Sequence, residues 1–205
     1  MAFPAATRHS VADGRIIEHV CAVLKGRLKK TVVLVGMMGS GKTAVGQALA
    51  RMLGVAFLDS DAEIVTASNL SIAEIFERYG EPFFREKEAQ VIRRLLESGP
   101  SVLSTGGGAY LAAENREVIS ELGVAVWLRA DVDLLWQRVR HKNTRPLLRT
   151  ADPYGTLRAL CQTREPFYAR ADLVADARSD YAIDDMAQSV LRVLARRPDV
   201  LEAET

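Results

Sequence analysis

Little in this 205-residue chain invites a metal framework or disulfide cross-links. Its two cysteines, Cys21 and Cys161, lie far apart with no C-x-x-C and no paired histidines, so neither a zinc site nor a disulfide is suggested and both read as ordinary reduced thiols. An excess of charge of one sign is equally lacking. Lys and Arg total 27 against 26 Asp and Glu, and a net charge of +1 removes the global electrostatic case for nucleic acid or an acidic membrane surface. Any anion site has to be built locally. No apolar run approaches the ~18 residues of a transmembrane helix, and residues 1–14 mix Arg8, His9, Asp13 and Gly14 without the apolar stretch of a secretory signal. No membrane partner and a cytoplasmic location are therefore expected.

What is present is the composition of a globular protein with a core, 48% hydrophobic and 26% charged. Residues 15–29 carry Ile16, Ile17, Val20, Val23 and Leu24 at helical spacing, which predicts an amphipathic N-terminal extension over 1–29. The body, 30–197, opens with the short β-branched apolar run TVVLVG at 31–36, fit for a strand buried on both faces. Further short apolar runs stand at 55–58, 101–104, 124–128 and 172–175. Helix-like segments stand between and after them at about 71–79, 83–97, 114–121, 131–140, 155–169 and 180–196. Strand and helix alternate, and parallel strands need crossover connections, so the class is α/β with helices on both faces of a parallel sheet. Residues 140–155 break the pattern with Arg140, Lys142, Arg145, Arg149 and two prolines, and read as a lid over anions. Residues 198–205 read as a polar tail.

Gly36 to Thr43, GMMGSGKT, fits G-x-x-x-x-G-K-[ST] between a strand and a helix, where the chemistry needs it. Glycines let the backbone N–H groups curl toward phosphates and the helix start favours negative charge. Lys42 reaches the β and γ phosphates, and the Thr43 hydroxyl suits Mg²⁺. This implies a nucleoside triphosphate but says nothing of the acceptor. Asp59-Ser60-Asp61 follows the second strand, with two readings open: carboxylates for Mg²⁺ and an acceptor hydroxyl, or a cap of the next segment. Arg85, near the start of a helix, needs an anionic partner, either Glu88 at i+3 or a ligand carboxylate. Gly106-Gly107-Gly108 ends the third strand, as an unusual turn or as backbone that a ligand approaches closely. Arg164 stands beside Pro166, as a surface residue or a ligand cation. No carboxylate follows the third strand's apolar run, so Mg²⁺ would depend on Thr43, water and Asp59.

Taken in order, these motifs resemble the shikimate kinases over about residues 30 to 195. Carrying the resemblance are the P-loop, Asp59-Ser60-Asp61, Gly80-Glu81-x-x-Phe84-Arg85-x-x-Glu88, the three glycines, Arg145-Pro146-Leu147-Leu148, and Arg164-x-Pro166-Phe167-Tyr168, where Phe167 replaces a more frequent Leu. The resemblance implies a nucleoside-monophosphate-kinase-like, five-stranded parallel sheet in the order 2-3-1-4-5 and ATP-dependent phosphorylation of the 3-hydroxyl of shikimate by a monomer. It implies that Asp61 holds the acceptor hydroxyls, that Arg85 and Arg164 grip the carboxylate, and that Gly107 and Gly108 offer N–H groups to the ring substituents. ATP contacts would come from Gly39, Ser40, Gly41, Lys42, Thr43 and Ala44, with Arg138 flanking the adenine. Lys42 and Arg145 would neutralise the transferring phosphoryl, and Thr43 with Asp59 would serve Mg²⁺. A gluconate kinase is the nearest alternative; a nucleoside monophosphate kinase or a catalytically inert nucleotide switch fits the residues less well.

Overall fold

The computed structural model describes residues 26–141 and 146–202. Its centre is strand β2 (Thr31–Val35), whose five residues are all buried. Around it β3 (Phe57–Asp59), β4 (Val102–Ser104), β5 (Gly123–Arg129) and β6 (Leu173–Asp176) complete a parallel sheet in the order β3-β4-β2-β5-β6. Counted from β2, that is the expected 2-3-1-4-5.

The pleat of β2 divides the core in two, because alternate side chains leave a strand on opposite faces. Val32 and Leu34 pack with helices α1 (Lys42–Leu53) and α7 (Ile183–Leu194) through Leu49, Val190 and Leu191. Val33 and Val35 face the other side, where α3 (Ile72–Glu97), α4 (Ala113–Leu122), α5 (Val132–Val139) and α6 (Pro153–Tyr168) contribute Ile92, Ile119, Leu135 and Leu157. Helix α3 opens on a capping box between Ser71 and Glu74 and is broken at Gly80, where φ 78° and ψ 173° interrupt the helical path. The two expected helices over 71–79 and 83–97 are therefore consecutive arms of one kinked element, and Arg85 sits just past the kink.

Three expectations need correction. A helix, α2 (Ser60–Ser68), stands where none was predicted; it buries only Ser60 and Ile64, too few apolar positions for a periodic signal. The N-terminal helix over 15–29 lies largely outside the described residues, and its described end is extended: β1 (Arg27–Leu28) pairs antiparallel with β7 (Leu201–Glu202). By the same pairing the tail after Arg197 is not merely polar. Val200 and Leu201 are buried in the core face of α1 and α7, and Lys29 N–H donates to Val200 O at 2.8 Å. Of the expected lid, residues 142–145 lie outside the description; Pro146–Leu148 form a 3-10 turn and α6 begins at Pro153, capped by Asp152.

This seam makes the C-terminal segment part of the fold. Leu201→Ala is expected to lower unfolding free energy by about 2–3 kcal/mol, read as a lower urea midpoint at unchanged slope, whereas a detached tail would leave the midpoint in place.

Candidate active site

The P-loop leaves β2 and enters α1 through Gly39 (φ 85°) and Gly41 (φ 94°), left-handed conformations that side chains disfavour. Ser40 N–H turns inward to Met37 O at 3.2 Å, and the Ser40 hydroxyl is buried without a hydrogen-bond partner. Thr43 and Ala44 lie in the first turn of α1, where N–H groups lack intrahelical acceptors and the dipole favours an anion. Lys42 Nζ lies along the loop, donating to Gly36 O at 2.8 Å and Met37 O at 3.2 Å. Arg138, from α5, reaches the outer side of the loop, its Nη1 3.4 Å from Gly39 O and 3.5 Å from Ser40 O.

Asp59 makes the cap and, with its other oxygen, meets Thr43. Its Oδ1 accepts from the N–H groups of Asp61 and Ala62 and so caps α2, while its Oδ2 accepts from the Thr43 hydroxyl at 3.3 Å. The cap aims the other oxygen at the mouth of the P-loop. Residues 39–44, Asp59, Asp61, Gly107 and Arg138 line one cavity of about 580 Å³. Its remaining wall includes Tyr181 and Ala182 from the loop after β6 and Ile183 and Met186 from the first turns of α7, which sequence reasoning missed because none of them belongs to a motif or carries a charge.

The acceptor side is organised by the three glycines after β4, each of which faces one of the predicted side chains. A β-carbon at Gly106 would stand 2.8 Å from Asp61 Oδ1; at Gly107, 3.8 Å from Arg164 Nη1; at Gly108, 2.7 Å from Arg85 Nη2. At 106 and 108 a side chain would have to displace the facing carboxylate or guanidinium, which glycine leaves in place. Residues from α2, α3 and α6 thus converge on one tripeptide. Arg145 lies outside the described residues.

Arg85 makes the intrahelical pair expected of it and a second one. Its Nη1 donates to Glu88 Oε2 at 2.7 Å, and Nε and Nη2 to Glu81 Oε1 at 3.2 and 3.0 Å. Glu88 is only 1% exposed. Burial pushes its carboxyl above the usual carboxylate range although Arg85 pulls the other way, and the charge of Asp61 adds to the rise. The outcome is a guanidinium held from below by a buried carboxylate, its orientation set before any ligand arrives. Glu88 was legible as the i+3 partner of Arg85 and the last residue of a motif, but its burial was not. Tyr168 was named only as the end of a motif and given no role: 1% exposed, it donates from its hydroxyl to Gly107 O at 2.5 Å. Cys161 is a free thiol whose pKa burial raises, which suits a packing residue rather than a nucleophile.

A glycine-rich loop at a helix start and, on the neighbouring strand's end, a glycine tripeptide faced by two arginines and a carboxylate suit a phosphoryl donor and a small anionic, hydroxyl-bearing acceptor. That arrangement is a P-loop kinase acting on a small molecule. The profile of the shikimate kinase family matches residues 38–195, and the chain belongs to that family. Shikimate kinase of Ruegeria pomeroyi is 64% identical over 175 residues, covering 85% of this chain and 90% of that protein. Shikimate kinase of Cereibacter sphaeroides is 64% identical over 178 residues, covering 87% and 89%. Among solved structures, shikimate kinase from Acinetobacter baumannii in complex with shikimate superposes with a TM-score of 0.77 at 40% identity, covering 82% of this chain and 95% of that one.

Gly106→Ala places a methyl group against Asp61 and, at 3.2 Å, against Glu88 Oε1. We expect acceptor kcat/KM to fall on the order of 100-fold with the KM for ATP little changed, measured by steady-state kinetics; wild-type values would mean that Asp61 does not act from this position.

Proposed function

We propose that the chain transfers the γ-phosphoryl group of ATP to the 3-hydroxyl of shikimate, releasing ADP and shikimate 3-phosphate, as a cytoplasmic monomer that uses Mg²⁺. The observation that carries the reading is the one-to-one apposition of Asp61, Arg164 and Arg85 with Gly106, Gly107 and Gly108. Shikimate offers one carboxylate and three hydroxyls on a rigid ring. Two arginines take the carboxylate and Asp61 takes hydroxyls, while Gly107 and Gly108 supply N–H groups, which together leave little freedom of orientation.

Residues 39–44 hold the phosphates, and the base lies between Arg138 and the Tyr181–Ile183 wall. Lys42 exchanges its loop carbonyls for phosphate oxygens, and Arg145 adds a second cation on the transferring group. The oxygen donors fit Mg²⁺: Thr43 Oγ1 and Asp59 Oδ2 are neighbours at the mouth of the loop, and hydroxyl, carboxylate and phosphate oxygens suit a hard cation. Among the described residues there is no cluster of three or more His, Cys, Asp or Glu, so most of the cation's ligands would come from nucleotide and water. When bound, the ion neutralises charge on the β and γ phosphates. Because phosphoryl transfer passes through a loose transition state with charge spread over the transferring oxygens, positioning and cations contribute more than proton removal, and Asp61 acts first by orienting the hydroxyl.

The test is an ADP-release assay with ATP and Mg²⁺ and three acceptors: shikimate, gluconate and AMP. Turnover is expected with shikimate alone and should disappear when the divalent cation is chelated. Turnover only with gluconate or AMP would keep the P-loop assignment and overturn the roles given to Arg85 and Arg164.

A further inference from the structure

Arg164 and Tyr168 are one turn apart on α6, so both side chains leave the same face of the helix. Both arrive at Gly107: the Arg164 guanidinium at the position of its missing side chain, and the Tyr168 hydroxyl at its carbonyl oxygen, 2.5 Å away. The tyrosine ring is fixed independently. It stacks on Trp127 with centroids 6.1 Å apart, and its hydroxyl is 3.8 Å from Met37 Sδ in the P-loop. The end of α6 is also tied to the segment after the glycines. Tyr110 donates to Arg170 O at 3.2 Å, and Arg116, which donates to Tyr110 O, lies over the Phe167 ring at 5.5 Å. The hydroxyl of Tyr168 is therefore a buried polar group at a junction that every neighbour holds still.

We propose that Tyr168 is a positioning residue for acceptor binding, whose hydroxyl occupies the Gly107 carbonyl and thereby keeps Arg164 available to the acceptor carboxylate. A carbonyl oxygen beside a guanidinium is a competing acceptor, and here the tyrosine hydroxyl takes it. The Arg164 side chain also hydrogen-bonds the Tyr168 hydroxyl, which therefore stands between the cation and the carbonyl and steadies the guanidinium. One hydroxyl thus holds the cation clear of the backbone carbonyl. The inference rests on the proposed assignment of Arg164 to the acceptor carboxylate.

Tyr168→Phe removes one oxygen and keeps the stacked ring. We expect the KM for shikimate to rise about 5–30-fold, with kcat reduced less and the KM for ATP within about twofold of wild type. The decisive comparison uses the neutral carboxamide of shikimate as a second acceptor. Its kcat/KM should change by less than about twofold, since it has no carboxylate to present to Arg164. The ratio of the two acceptors is read within one preparation, so any loss of folded enzyme cancels. An equal penalty on shikimate and its carboxamide, a penalty on ATP, or no penalty at all would overturn the proposal. Arg164→Ala is measured alongside. If it abolishes the preference for shikimate over the carboxamide while Tyr168→Phe leaves that preference intact, only the positioning role falls. If Arg164→Ala keeps the preference, the assignment of Arg164 fails and the role of Tyr168 fails with it.

Discussion

Everything in the site hangs from three parallel strands that finish level. Leu34 of β2 pairs with Ser104 of β4, and Ser104 pairs with Asp59 of β3, so the three chains leave the sheet in one row. Thr105 then bonds back to Leu34 O through its hydroxyl at 3.1 Å, and Gly106 N–H reaches Ser60 Oγ at 3.3 Å, which stitches the three exits together. From that row the P-loop, the start of α2 and the glycine tripeptide diverge by only a few residues each. A slip of one residue in the β3–β4 pairing would turn Asp59 to the other face of the sheet and carry α2, which starts at Ser60, out of place with it.

The charges follow from the same geometry. With almost no net charge to attract anions at a distance, the chain gathers cations on fixed elements around two small volumes. Lys42 rests on its own loop. Arg85 rests on Glu88, whose burial costs desolvation that its pairing with Arg85 offsets only in part, so burying this pair specifies a direction more than it adds stability. Arg164 is set by the helix it rides on and, in our proposal, by Tyr168. For Lys42 and Arg85 a carbonyl or a carboxylate holds the cation in place.

How much of this was readable in the amino-acid order depends on the range of the interaction. The P-loop and the alternation of strand and helix followed from local patterns, the strand order came only with the family resemblance, and the glycine tripeptide was open between an unusual turn and close approach. Asp59 looked ambiguous because a cap and a cation-facing carboxylate use the same residue, and the structure gives one oxygen to the cap and the other to the Thr43 hydroxyl. The rest depended on contacts distant in the chain. β1 and β7 are two residues each and acquire their strand character only by pairing across more than 170 residues. Tyr181 to Ile183 contribute shape rather than a polar group. Tyr168 stood in plain view inside a motif, but its importance lies in a carbonyl 61 residues away, which no spacing rule identifies.

The central claim is that the glycine tripeptide and the side chains facing it form the acceptor site while the P-loop cavity takes the nucleotide. A crystal structure with shikimate and a non-hydrolysable ATP analogue tests it most directly. The account predicts the shikimate carboxylate between Arg85 and Arg164, ring hydroxyls on Asp61 and the triphosphate over residues 39–44. A carboxylate bound instead at the P-loop, or a ring seated away from Gly106 to Gly108, would contradict it.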